Sequence, residues 1–257
     1  MIRHKTMIAG ALALTFVPVA ATADETFSVA NIFFELNNTD GDLGIHALID
    51  GEPWKKLEIE DTRDREILNI RLRGRLRRQG LTELFFESAE PPFESDDPDE
   101  VTLPPEELFK RFPEGKYEIS GVTLDGDELE STSMVTHLIP APADNFKVNG
   151  EAVPEDCDED HGPSVSNPIT VSWDDVTMSH PEIGRTGETI TVKNYELVVE
   201  QVAPPVKFTA ILPPEVTSVQ LPPGLLVPGD IKVEVLVRED SDNQTATESC
   251  FEVGGTP

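Results

Sequence analysis

Short apolar runs cut by turn chemistry recur along most of this chain, and they predict strands rather than helices. In the first half the runs are Phe27 to Leu36, Leu43 to Ile49 and Trp54 to Ile59, separated by Asn37-Asn38-Thr39-Asp40-Gly41-Asp42 and Asp50-Gly51-Glu52-Pro53. From Ile67 the pattern alternates. Ile70, Leu72 and Leu76 fall on one face and Arg71, Arg73, Arg75 and Arg77 on the other, with Gly74 breaking the apolar set and Arg78 following. A period of two predicts a half-buried strand carrying a basic stripe. Leu84 to Phe86 predicts another strand, and Tyr117, Ile119 and Met134 to Ile139 two late ones around an Asp125-Gly126-Asp127 turn. One short helix is expected between them. Pro104-Pro105-Glu106-Glu107 supplies proline and acids to its first turn, Lys110 and Arg111 supply bases to its last, and Pro113 ends it.

Composition then divides the chain. Residues 90–107 hold eight acids, five prolines and no Lys or Arg, which predicts an exposed, extended loop. Residues 151–160 hold six acids in ten, and with Pro140, Pro142 and Pro154 they read as a connection between domains. Beyond it, Ile169–Trp173, Thr189–Gln201, Val206–Leu212, Val216–Leu221, Ile231–Arg238 and Thr245–Val253 have the length and spacing of sandwich strands. The expected fold class is therefore all-β: two β-sandwich-like domains in tandem, with one short helix in the first. The expected division is an N-terminal domain over 24–143 with the acidic loop 90–107, an acidic linker over 144–162, and a second sandwich over 163–257.

In that second domain, Pro168-Ile-Thr-Val-Ser-Trp173-Asp resembles the second strand of a fibronectin type III module with its core tryptophan, and Tyr195-Glu-Leu-Val-Val resembles the third. Leu226-Val-Pro228-Gly229-Asp-Ile231-Lys-Val233 is similar to that family's Leu-x-Pro-Gly turn and the strand after it. The resemblance covers about residues 163–253 and implies an immunoglobulin-like sandwich. The chain departs from the pattern in a turn one residue short, in Ile231 where tyrosine usually stands, and in the insertion 174–188. A fainter echo, Phe112-Pro-Glu-Gly115-Lys-Tyr117, carries the tyrosine and suggests a divergent sandwich in the first domain too.

Charge and the chain start narrow the setting. Arg3, His4 and Lys5 precede an apolar stretch from Met7 to Ala20 and then Ala21-Thr22-Ala23, the layout of a cleaved signal peptide over 1–23, with the mature protein starting at Asp24. No later run is long and apolar enough to span a bilayer, so no membrane insertion is expected after cleavage, and the expected location is secreted or periplasmic. Cleavage leaves 18 basic against 49 acidic residues, a net charge of −31. That field repels nucleic acid and anionic membranes. Cys157 and Cys250 are the only cysteines, and an even count in an exported chain favours one disulfide over a metal site sharing His161.

Candidate chemistry is sparse. His46, His137, His161 and His180 sit in no nucleophile or metalloprotease motif, so no catalytic residues, metal or cofactor are assigned. Asn38, Asp40 and Asp42 begin like a calcium loop, but Leu43 stands where Gly is needed and no Glu closes it; a tight turn is expected instead. Trp54 and Trp173 are expected to pack inward rather than stack on sugar. The one place where charge reverses is Arg71, Arg73, Arg75, Arg77 and Arg78. Pairing across the sheet with Glu58 and Glu60, or Glu83 and Glu87, is expected. The alternative is docking of an acidic protein or polyanionic glycan partner. The functional expectation is an exported, non-catalytic binding or spacer protein. Its rivals are an accessory or inhibitory protein of an exported enzyme, or a small hydrolase.

Overall fold

The computed structural model describes residues 25–155, 157 and 161–254; the expected signal peptide and the start at Asp24 lie outside the described residues. The protein is all-β apart from two short helices. The first half contains β1 (Val29–Asn37), β2 (Asp42–Glu60), β3 (Glu66–Arg71), α1 (Leu76–Gln79), β4 (Leu81–Glu87), α2 (Pro105–Arg111), β5 (Gly115–Thr123) and β6 (Glu128–Val135). The second contains β7 (Lys147–Val148), β8 (Glu151–Ala152), β9 (Ser164–Val165), β10 (Thr170–Ser172), β11 (Val192–Gln201), β12 (Val206–Leu212), β13 (Ser218–Gln220), β14 (Gly229–Glu239) and β15 (Gln244–Val253).

Each half has its own core. In the second, the sheet β12-β11-β14-β15 lies against β13-β10-β7-β8, and their facing side chains, among them Val148, Val171, Trp173, Tyr195, Leu197, Val233, Val235 and Phe251, form one cluster. Alternation explains it: Val233, Val235 and Val237 point in while Glu234, Leu236 and Arg238 point out. This is the two-layer sandwich that the fibronectin type III resemblance implies, with Trp173 in the core and packed edge-on against Tyr195 at 5.5 Å. All six strands expected here form. Ile231, in the tyrosine's place, is buried.

The first half has the same layout reached differently. Leu43–Ile49 and Trp54–Ile59, expected as two strands, are one continuous strand, β2. Its residues 42–50 pair with β1 and β4, and residues 54–60 with β3 and β5, the register shifting between Asp50 and Trp54. One strand thus serves both layers of a sandwich closed by β6, around Phe34, Trp54, Leu57, Tyr117 and Ile119. The Tyr117 hydroxyl donates to the Pro113 carbonyl at 3.0 Å, the corner bond that fixes the turn before such a strand. α2 forms where expected and buries Leu108.

Two expectations are corrected. The basic strand ends at Arg71, because Gly74 adopts φ +59° and the chain then coils into α1, so Arg73, Arg75, Arg77 and Arg78 are not a strand stripe. Part of the segment read as a linker over 144–162 is built into the second core instead, Phe146 and Val148 being buried there and β7 pairing with β10. Among the described residues no helix is long and apolar enough to cross a membrane.

The halves are joined by strand pairing. β1 lies parallel to β15, with Glu35, Leu36 and Asn37 opposite Gln244, Thr245 and Ala246, so the sheet β12-β11-β14-β15 continues through β1 into β2 and β4. Asn243, 1% exposed, sits at this seam. Its Oδ1 accepts from the Phe34 N–H at 2.8 Å, and its amide donates to the Thr136 and Leu138 carbonyls at 2.9 and 3.1 Å. Thr245 donates to the Pro140 carbonyl at 2.6 Å. The insertion 174–188 closes the other side: the Arg185 N–H donates to the His137 carbonyl at 2.8 Å, the His180 N–H to the Ile139 carbonyl at 2.7 Å, and Ile183 packs on the first core.

Candidate functional sites on the two outer faces

The first site is basic. Arg71, Arg73 and Arg77 gather with Lys55 and Lys56 around a groove of about 380 Å³ floored by Leu72 and Val122. β3 brings Arg71 directly opposite Lys56, a like-charge pair that leaves positive potential in place. The positive φ of Gly74 folds the following residues back, so Arg77 on α1 joins the group while Arg75 and Arg78 do not line it. Lys55 donates to the Leu124 carbonyl at 3.1 Å and Lys56 pairs with Glu58. Among the described residues none of Arg71, Arg73, Arg75, Arg77 or Arg78 makes an ion pair, and all five are exposed. None of the expected cross-strand partners pairs with the arginines among the described residues. Glu58 is held below the usual carboxylate range first by its bond from Lys56, with Arg71 contributing only through its field. Glu83 stands opposite Asp50, and Glu87 opposite His46. Lys55 and Lys56 escaped the sequence reading, although Trp54-Lys-Lys, with the tryptophan buried, marks where the strand turns its bases outward.

The second site lies on the outer face of the joined sheet. β1 presents Asn31, Phe33 and Glu35, β2 His46 and Leu48, β4 Phe85 and Glu87, and β11 and β14 add Glu196, Leu236 and Arg238 around a second groove of about 380 Å³. His46 is the odd polar residue in an apolar run, and it is 2% exposed. Its Nε2 lies 2.8 Å from Glu90 Oε1, and its Nδ1 3.7 Å from Glu35 Oε2 without a hydrogen-bond partner. Gly44 permits this, since a Cβ there would meet the Glu90 carboxylate at 1.8 Å. Burial opposes protonation of His46, but the bond to Glu90 and the fields of Glu35 and Glu90 outweigh it and raise its pKa. Burial pushes Glu35 up. Gln244 donates to Glu35 and accepts from Arg238 Nε at 2.8 Å, so the polar chain runs across the seam.

Other sequence candidates resolve structurally. Cys157 and Cys250 are bridged, with Cα atoms 5.9 Å apart. Residues 38–41 form a tight turn in which Asn37 Oδ1 accepts from the Thr39 and Asp40 N–H groups at 3.0 and 3.1 Å. Trp54 is fully buried and cannot stack on a sugar. His137 stacks on Phe109 at 4.2 Å. Among the described residues no group of three or more His, Cys, Asp or Glu is placed to hold a metal ion.

Two halves with the same layered strand order define a tandem of fibronectin type III-like sandwiches. Comparison with protein families and with curated proteins gives no match. Among solved structures, the chain is similar to the tetra-tandem repeat in the extending region of a large adhesion protein, at 12% identity and TM-score 0.29 over 88% of this chain and 50% of that one. It is also similar to the FN1–FN3 domains of chicken CNTN1 (10%, TM-score 0.34, 89% of this chain and 65% of that one) and to a two-domain fibronectin type III segment of chicken tenascin (10%, 0.30, 89% and 98%). The chain thus spans half to two thirds of the first two. Strand order and core, not these scores, carry the fold assignment.

Proposed function

We propose that this is an exported, non-catalytic binding and spacer protein of two modules, the first of which docks an acidic partner protein through Arg71, Arg73 and Arg77 with Lys55 and Lys56. The observation that carries this reading is the basic groove itself: in a chain of formal net charge −29, these arginines lie exposed and without ion-pair partners among the described residues. Unneutralised like charges held side by side cost stability, and guanidinium groups suit bidentate contact with carboxylates. The disulfide supports an oxidising compartment. Intact-mass measurement on exported material tests the setting, with a start at Asp24 expected and a retained leader overturning it.

For the docking face, binding to polyglutamate is measured at near-physiological salt. R71Q/R73Q/R77Q is expected to lose it, while R75Q/R78Q, outside the groove, weakens it about twofold through the general field. Equal losses in the two variants overturn the groove as the site. Retention of a sulfated glycan but not polyglutamate redirects the partner to a polyanionic sugar.

A second reading, a hydrolase, draws on His46 between Glu35 and Glu90. The groove it lines contains no serine, threonine or cysteine to act as nucleophile.

A further inference from the structure

We propose that the seam groove is a receptor for a basic side chain, an arginine or lysine presented by a partner protein, with Glu35, Glu87 and Glu196 meeting the cationic head and Phe33, Phe85 and Leu236 its aliphatic stem.

Three independent features point to a cation of this shape. The first is the acceptor geometry. The Nε2 proton of His46 is donated to Glu90, which leaves Nδ1 as the ring's other polar atom. That atom is buried, unpartnered, and 3.7 Å from Glu35 Oε2, too far for a direct hydrogen bond. Glu35 Oε2 therefore faces the ring without being bonded by it, and a cationic N–H group that reaches this oxygen supplies the contact the ring does not make. A buried nitrogen left without a partner is otherwise a cost with no return.

The second feature is charge. Glu35, Glu87 and Glu196 line the groove with Arg238, which is occupied by Gln244 at 2.8 Å and Glu196 at 3.8 Å, while Asp242 on the same lining is paired with Lys193. The Glu87 carboxylate has no hydrogen-bond or ion-pair partner among the described residues. Burial already disfavours the charged form of Glu35, a penalty that a bound cation would offset. The third is the wall. Phe85 is 54% exposed on the outer face, edge-on to His46 at 6.0 Å, and beside Phe33 and Leu236 it gives the groove an apolar wall next to its carboxylates. An aromatic face beside carboxylates suits a guanidinium or ammonium group on an apolar stem. The groove needs both halves, since β1, β2 and β4 supply one bank and β11 and β14 the other.

The test is a titration of the full mature protein with N-acetyl-arginine amide, followed by NMR at the His46 and Phe85 rings, with N-acetyl-citrulline amide as the uncharged match in shape. Saturable shifts at both rings are expected from the arginine probe, and binding at least about tenfold weaker from citrulline, as for loss of a charge-assisted contact. E35Q/E87Q should weaken arginine binding by about the same factor. E94Q/E100Q, which removes the same charge from the acidic loop, should leave it unchanged. If E35Q/E87Q does not fold, E87Q alone carries the test, because that carboxylate supports no neighbour. Equal binding of citrulline, equal binding by E87Q, or equal loss in E94Q/E100Q would overturn the proposal and reduce the effect to the molecule's overall charge.

Discussion

The two halves reach one layout by opposite treatments of the same connection. In the first, the second and third strands of the sandwich are a single bent strand, β2, that changes layers between Asp50 and Trp54 with no loop. In the second, the corresponding strands β10 and β11 are held apart by residues 173–191, and that insertion reaches back to hydrogen-bond the segment 137–141. The first half spends no chain on the connection and the second uses it to grip its neighbour. A connection is therefore free to vary in length so long as the facing apolar rows are kept, because those rows decide the fold. The first half has the tyrosine corner and no disulfide; the second has the disulfide and an isoleucine where the tyrosine would stand.

The largest test of that asymmetry is to remove the bridge. Cys157 and Cys250 are 93 residues apart, and the chain-entropy relation gives about 4–5 kcal/mol for closing such a loop. C157S/C250S should lower the melting temperature of the second half strongly and leave the first half's transition in place; calorimetry resolves the two. A uniform loss would show that the halves unfold as one.

The seam is tested next. Asn243→Ala leaves the Phe34 N–H and the Thr136 and Leu138 carbonyls without their side-chain partner in a buried site, at about 1–3 kcal/mol for an unsatisfied group. The transitions of the two halves should move further apart in calorimetry. An unchanged separation would mean that the insertion 174–188 alone couples the halves.

Proton linkage sharpens the comparison across the joined sheet. Glu234 stands directly opposite Glu248, and burial followed by the Glu248 charge raises its pKa to about 7; burial and Glu90 raise Asp42 to about 6. A carboxyl whose folded pKa is raised favours the folded state below its unfolded value and loses that contribution as pH rises through the folded value. Stability should therefore fall between about pH 4.5 and 7 on this account. Glu234→Gln should flatten the fall and raise the melting temperature at pH 8 by roughly 2–4 °C, read by thermal melts across pH. A slope unchanged in the variant would place the effect elsewhere.

The smallest test is Tyr117→Phe, which removes only the corner bond to Pro113. It should cost about 1 kcal/mol by denaturant melts and leave the second half untouched. A cost shared by both halves would show the corner acting through the seam.

Much of this was legible in the chain. Alternation and turn residues located β10 to β15 of the second half, though not the two-residue strands β7, β8 and β9, and the paired cysteines and inward tryptophans followed from compartment and side-chain size. The arginine stripe was misread because period two continues in letters after Gly74 has already turned the backbone, and a positive φ leaves no trace in a hydropathy pattern. The residues 144–162 were misread because Phe146, Val148 and Val153, which pack on the second core, are outnumbered by acids nearby. The seam was out of reach: Glu35 and Gln244 are 209 residues apart, and nothing local announces a parallel pairing at that distance. His46 was visible only as a polar letter in an apolar run.

The parallel pairing of β1 with β15 also sets how the molecule would carry a pull. The end of β1 overlaps the beginning of β15, so drawing the start of β1 and the end of β15 apart slides the strands along each other, like the two plates of a lap joint. The bonds at Glu35, Leu36 and Asn37 then bear the load together instead of opening one by one. Once the joint has parted, tension arriving at Cys250 crosses to Cys157 through sulfur, and the span between them drops out of the loaded path. Strands β9 to β14 then behave as a buckle that cannot be paid out, and the slack lies in the chain before Cys157.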